Sequence, residues 1–339
     1  MTVNNAAAHP LPAAALAVPH MVRLGANLTG LLFPLMKLLP AFRLVEAAAP
    51  GCGIIETSSG TMALALGMVC AAAGRPVTLV TPPLEASLER HLRSFGQTTL
   101  VTVADRDEPG GNQAARLRVL QFILSSQPSL VWTRQYENPL VPASYEPVGQ
   151  LLAEAGIDCV VASVGSGGSA QGIARGLRRH RPYARLIGVD LANSVLFGRP
   201  DGPRTFPGMG NSIVPGLLDR ATFDEVHWLS DRIIAQVTRD ASREMGLLLG
   251  PSGGAALHVA RWWARLNPAV HVACVLPEMG HRYLDTLYAG EGQPAVLDDA
   301  FSKAPVQVAA PTIGFCDWEV MQLPRFPLRF SRAAWQDAS

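Results

Sequence analysis

Residues 158–179 narrow most what this chain can fold into. They read DCVVASV-GSGGS-AQGIARGLRR: an apolar run of strand length, a glycine-rich turn, and a segment with helical spacing of its apolar residues. A strand that feeds a helix through such a turn is the repeating step of a parallel, doubly wound sheet. Gly165, Gly167 and Gly168 let the backbone approach an anion, and Ser166 and Ser169 add hydroxyl donors. The following helix presents unpaired N–H groups and the positive end of its dipole. The segment is a phosphate cradle, and two other readings stay open beside it. The turn can need glycine for its backbone angles alone. Gly165, Gly167 and Ala170 also fit G-x-G-x-x-A, with Asp190 ending the next strand where a ribose-binding acid would sit, as in an NAD-dependent oxidoreductase.

The same alternation runs along the chain. GIIET, PVTLVTP, TTLVTV and SLVWTR read as strands, separated by the helical segments GTMALALGMVCAAAG, SLERHLRSF and NQAARLRVLQFILSSQ. A second run begins near Tyr145, with VGQLLAEAG, AQGIARGLRRHR, DRIIAQVTRDASREMG and GGAALHVARWWARLN as helices among the strands DCVVASV, RLIGVDLA, EVHWLS and AVHVACVLPE. The expected fold is α/β, in two lobes, each a mostly parallel sheet flanked by helices, with a ligand in the cleft between them. The pattern divides the chain into a mobile N-terminal arm (1–20), an N-terminal lobe (21–145), a C-terminal lobe (146–290) and a tail (291–339) that packs late or reaches a partner.

Composition removes several function classes. A net charge of +1 provides no basic face for nucleic acid. Five scattered cysteines without C-x-x-C fit neither a disulfide framework nor a zinc site, and suit a reducing cytoplasm. The histidines show no metal spacing. The start lacks a basic n-region, and the apolar stretch Leu28–Phe42 is short of the ~20 residues a spanning helix needs, so a soluble protein is expected, away from membranes. There are two lysines, Lys37 and Lys303, against 26 arginines. Chemistry that needs an amine therefore points to Lys37, set in the apolar run LLFPLMKLLPAF, where desolvation lowers an amine's pKa.

Several segments, in order, resemble the cysteine synthase / cystathionine beta-synthase branch of fold-type II pyridoxal-phosphate (PLP) enzymes, whose fold is tryptophan synthase beta-like. KLLPAFRLVEAA resembles the family's lysine motif, and PGCGIIE with TSSGTMALALG its substrate loop. RQYENP resembles its Q-F/Y-x-N-P stretch, VGSGGSAQG its phosphate loop, PGMGNSIVP its P-G-I-G-x-G-x-x-P loop, GPSGGAA its G-x-S-S-G-A-A turn, and VLPEMGHRYLDTLY its L-P-S-x-G-E-R-Y-L-S-T segment. The likeness covers roughly residues 20–290.

The resemblance implies PLP as cofactor, in an aldimine with Lys37, and Gly165, Ser166, Gly167, Gly168 and Ser169 around its phosphate. It implies that Ser58, Ser59, Gly60, Thr61 and Gln135 grip the substrate carboxylate. Thr61 stands where the family has an asparagine near the cofactor, Ser252 is placed beneath the ring or at a helix N-cap, and Glu278 or Met279 faces the pyridine nitrogen. Leu38 and Leu39 replace the usual Asp-Arg, and Met62 and Ala63 also depart from the substrate loop. The implied activity is β-replacement on an O-activated serine or related amino acid, through an aminoacrylate, with sulfide, another thiol or an amine as nucleophile, in a specialised pathway and in a homodimer. A β-eliminating, deaminating lyase and a non-catalytic relative are the alternatives.

Overall fold

The computed structural model describes residues 12–58, 60–103, 111–289, 304–311 and 315–323. A 3-10 turn over Pro12–Ala17 leads to the hairpin β1 (His20–Arg23) and β2 (Leu28–Leu32), then helix α1 (Leu38–Ala47). Next come β3 (Gly53–Thr57), α2 (Thr61–Ala72), β4 (Val77–Thr81), α3 (Ala86–Ser94), β5 (Thr98–Thr102), α4 (Gly111–Ser126) and β6 (Leu130–Trp132). After the short α5 (Leu140–Ala143) follow α6 (Glu146–Glu154), β7 (Cys159–Ser163), α7 (Gly168–Arg178), β8 (Arg185–Leu191) and β9 (Glu225–Leu229). The chain continues through α8 (Asp231–Met245), α9 (Pro251–Leu266), β10 (Val272–Leu276), β11 (Val306–Gln307) and β12 (Trp318–Gln322).

These strands form two sheets. The smaller, in the order β5-β4-β3-β6, is parallel throughout. The larger runs β1-β2-β10-β7-β8-β9-β12-β11. Its span from β2 to β9 is parallel, with antiparallel pairings of β1 to β2 and β12 to β9. Strands covered on both faces need apolar residues throughout rather than at alternate positions. That is why CVVAS and VACVL read as continuous runs, and β9 and β10 are buried at every position. The two-lobed α/β expectation therefore holds.

Pairing and burial bear on the expected partition in three places. β2 lies parallel to β10, with Leu28 opposite Val272 and Leu32 opposite Leu276, so the segment 20–32 joins the larger sheet rather than the lobe of residues 21–145. LTGLL is a short apolar strand whose partner lies at the far end of the chain, and no local signal names it. Residues 12–17, expected in a mobile arm, bury Ala14 and Ala17, and Leu16 accepts a hydrogen bond from the Leu35 amide. In the expected tail, β12 covers β9 and buries Trp318 and Val320. No helix of the described residues is long and apolar enough to cross a membrane.

Candidate active site

The β2–β10 pairing determines where Lys37 stands. Beyond β2 the chain keeps alongside β10: the Phe33 amide donates to the Leu276 carbonyl and the Met36 amide to that of Pro277, both at 2.9 Å, and Leu35 bridges to Glu278. The backbone then turns into α1 with Lys37 as its N-cap residue. Pro40 falls in the first turn, where its missing N–H costs nothing. The apolar residues of α1 anchor the helix in the core, and the Lys37 side chain faces a cavity of about 690 Å³. Burial holds the Lys37 amine below its ordinary pKa, while the charge of Glu278 opposes that shift.

Lys37, Ser58, Gly60, Thr61, Gln135, Gly165 and Ser166 all line this one cavity. They come from four separated segments, so seven of the thirteen candidate residues meet. Ser58 follows β3, and its Oγ accepts from the amides of Gly60 at 3.3 Å and Ala63 at 3.2 Å. Ser58 thus takes an amide of the first turn of α2, whose N-cap is Gly60; Ser59 lies outside the described residues. Gln135 donates from Nε2 to the Thr57 carbonyl at 2.6 Å, and from its amide to Glu56 Oε2 at 2.9 Å. Glu56 is fully buried and also accepts from Thr133 Oγ1, Trp132 Nε1 and the Thr57 amide. Burial raises its pKa against these bonds. It ties the carboxyl ends of β3 and β6 together under the loop, a role GIIET alone does not disclose.

The glycine loop has the form a phosphate needs. Gly167 takes φ +80°, a left-handed conformation that favours glycine, and turns β7 into α7. The Gly165, Ser166 and Gly167 amides donate to no acceptor among the described residues, and the Gly168 amide reaches Ser166 Oγ at 3.4 Å. This leaves an array of N–H donors at a helix start beside the cavity, with a lysine amine on the same cavity. These residues fit PLP, a phosphate ester with an amine-reactive carbonyl. Gly167, Gly168 and Ser169 stand behind Gly165 and Ser166 rather than in the lining. The dinucleotide reading loses its acid: Asp190 is fully buried, and its Oδ1 accepts from the adjoining Leu191 amide at 2.8 Å.

Glu278 also sits behind the lining. Its Oε2 accepts from Thr61 Oγ1 at 2.7 Å, and its Oε1 from the Tyr283 hydroxyl at 2.8 Å. Ser252 is buried in the first turn of α9, but Gly250 is the N-cap and Pro251 follows it, so the N-cap expectation for Ser252 is corrected. Sequence reasoning missed Arg116, Tyr136, Arg204, Glu85 and Arg282, which all line the cavity. Arg116 donates from Nε to Thr57 Oγ1 at 3.0 Å and from Nη2 to Gln113. Gln113, Arg116 and Leu120 recur at helical spacing on the buried face of α4. Two polar residues on an inward face were the available signal. Burial pushes the Tyr136 hydroxyl up to about 12.

Residues 36–278 match the family model described as "Pyridoxal-phosphate dependent enzyme". N-(2-amino-2-carboxyethyl)-L-glutamate synthase of Ralstonia nicotianae is 38% identical over 249 residues, covering 72% of this chain and 73% of the relative. A cysteine synthase of Staphylococcus aureus is 29% identical over 245 residues, covering 70% and 77%. Among solved structures, the cysteine synthase of Entamoeba histolytica superposes with a TM-score of 0.73 at 22% identity, covering 85% of this chain and 90% of that one. O-ureido-L-serine synthase does so with a TM-score of 0.70 at 26% identity, covering 83% and 94%. With Lys37, Ser58, Gly60, Thr61, Gly165 and Ser166 gathered on one cavity, the chain belongs to the pyridoxal-phosphate dependent enzyme family and is an enzyme of its cysteine synthase type.

Proposed function

We propose that this enzyme exchanges the oxygen substituent of an O-activated serine for the amino group of an acidic amino acid, a β-replacement that forms a C–N bond. The carrying observation is the cavity. Its ~690 Å³ lies well within the range of small-molecule sites and has room for two amino acids together, and its lining sets Lys37, Arg116, Arg204 and Arg282 against only two carboxylates, Glu85 and Asp201, which pair with Arg282 and Arg204. That net positive wall suits an anionic leaving group and a dicarboxylate better than it suits sulfide. The names of the 38% and 35% identical relatives agree: an N-(2-amino-2-carboxyethyl) unit on glutamate is a three-carbon, serine-like fragment joined through its terminal carbon to nitrogen.

Gly165, Ser166, Gly167, Gly168 and Ser169 would hold the phosphate of PLP, Lys37 its carbonyl carbon, and Thr61, Glu278 and Ser252 its ring. Bound there, the cofactor supplies a carbonyl for amine exchange and a ring that accepts negative charge from Cα. Ser58, Ser59, Gly60, Thr61 and Gln135 orient the serine carboxylate. Lys37, released as a neutral amine by its lowered pKa, takes the Cα proton and returns it after replacement. The Cβ–O bond breaks with its electron pair leaving on the oxygen anion, the Cβ–N bond forms, and the attacking amine gives up a proton. Closure of the small lobe excludes water that would otherwise divert the reaction to hydrolysis.

We further read the chain as a cytoplasmic homodimer acting on small molecules, with neither nucleic acid nor membrane as partner. The five free thiols and the near-zero net charge support that setting. The test begins with the absorbance of purified protein before and after borohydride, in the wild type and in Lys37→Ala. O-phospho- or O-acetyl-L-serine is then supplied with glutamate or with sulfide, and products are identified by mass spectrometry. A glutamate–serine conjugate is the expected result. Pyruvate and ammonia with no conjugate would make the enzyme a lyase.

A further inference from the structure

Arg282 joins three places that the fold keeps on different elements. It sits in the 3-10 turn Gly280–Tyr283 that follows β10, on the larger sheet. Its Nη2 donates to both carboxylate oxygens of Glu85, at 2.9 and 3.0 Å, and its Nε to Oε2 at 3.3 Å. Glu85 is the N-cap residue of α3, which belongs to the smaller sheet. The other edge of the guanidinium lies on the substrate loop. A Cβ placed on Gly60 would stand 2.0 Å from Nη1 and 2.7 Å from Cζ, so only a glycine leaves room for the arginine there. One residue further on, Tyr283 and Thr61 share the Glu278 carboxylate. Segment 278–283 therefore touches both Gly60 and Thr61.

We infer that Arg282, fixed by Glu85, is a positioning residue that sets the substrate loop at Gly60–Thr61 for the amino-acid carboxylate. This inference rests on the β-replacement reading, in which that loop grips the carboxylate. A planar guanidinium held at two nitrogens cannot rotate, so its third nitrogen becomes a fixed stop for the loop backbone. The loop is then seated by the opposing sheet as well as by its own helix. Glu85 accepts no substrate in this scheme. It keeps the arginine flat and in place.

The experiment titrates an O-activated serine into the PLP-loaded enzyme and follows the visible absorbance change, alongside a separate titration of apoenzyme with PLP. Glu85→Gln, whose side chain is partly exposed and mild to replace, and Arg282→Gln each weaken amino-acid affinity about tenfold, with PLP affinity unchanged. Arg282→Lys recovers part of that loss. The double variant E85Q/R282Q is no worse than the poorer single variant, because the pair acts as one unit. Unchanged amino-acid affinity in the single variants, additive losses, or an equal fall in PLP affinity each overturn the inference. If the wild type shows no spectral response to any O-activated serine, the β-replacement reading fails and the inference falls with it. A responsive wild type with indifferent variants sinks the inference alone.

Discussion

The two loops proposed to grip anions in this enzyme stand on unequal foundations. The glycine loop at 165–169 leaves β7 in a sheet where β7, β9 and β10 are buried almost throughout, and it enters α7, whose inner face is packed against α6. The loop at 58–61 leaves β3 in a four-stranded sheet with lighter cover. β3 itself is buried at every position, but the edge strands β5 and β6 are half-exposed along their length, and one face of β3 packs on the small cluster of Ile55, Val80 and Leu120. The lesson is a division of labour. The proposed cofactor end rests on the deeper sheet and the proposed amino-acid end on the shallower one, where Arg282 and Glu278 reach the loop from the segment after β10.

Four substitutions would break or sharpen that comparison. The largest effect belongs to Lys37→Ala, which removes the group shared by both ends; turnover should fall about a thousandfold, and borohydride should no longer fix the cofactor covalently to the chain. Leu120→Ala should cost about 3 kcal/mol of stability and raise the KM for the serine substrate, while leaving PLP affinity intact. If thermal melts and PLP titrations show both ends weakened together, the two bodies are not separable. Gly167→Ala works on the opposite loop. It places a Cβ at positive φ, 2.7 Å from Gln171 Nε2, so a loss of about 1–2 kcal/mol should appear in PLP binding and in the melt, with amino-acid affinity spared. Asp190→Asn has the smallest expected effect. Burial lifts the Asp190 carboxyl to about 7 from an ordinary 3.8, so in that window the folded protein keeps a proton the unfolded chain has released. Stability then declines as pH climbs from about 4 through 7. The asparagine variant should flatten that decline, gaining about 2 °C in Tm at pH 8 relative to pH 5.

What could be read from the sequence was whatever sits within one segment. Gly165–Ser169 announces a phosphate loop because strand, turn and helix are contiguous, and Lys37 stands out because amines are so few. Ser58, Gly60, Thr61 and Gln135 were reached through ordered motifs. Partners distant in the chain were not legible. Nothing near Leu28 names Val272, and nothing near Glu85 names Arg282. Glu56 looked like the end of a buried strand, while its four donors come from β3, β6 and the segment just after β6. That Ser58 Oγ takes the amides of Gly60 and Ala63 is a matter of backbone path, which composition does not disclose. Asp190 matched a ribose-binding acid in position, and only its complete burial takes that role away.

The parallel pairing of β2 with β10 has a consequence for how the enzyme comes into being. A ribosome releases Lys37 early, yet the strand against which its segment lies is among the last parts of the ordered chain to emerge. The reactive amine has no fixed station until residues 272–278 have left the exit tunnel and slotted between β2 and β7. A nascent chain with the small lobe, phosphate loop and lysine already made is still chemically idle. Arrest during translation should therefore yield no prematurely active fragment, and a chain truncated before β10 should leave any PLP unanchored.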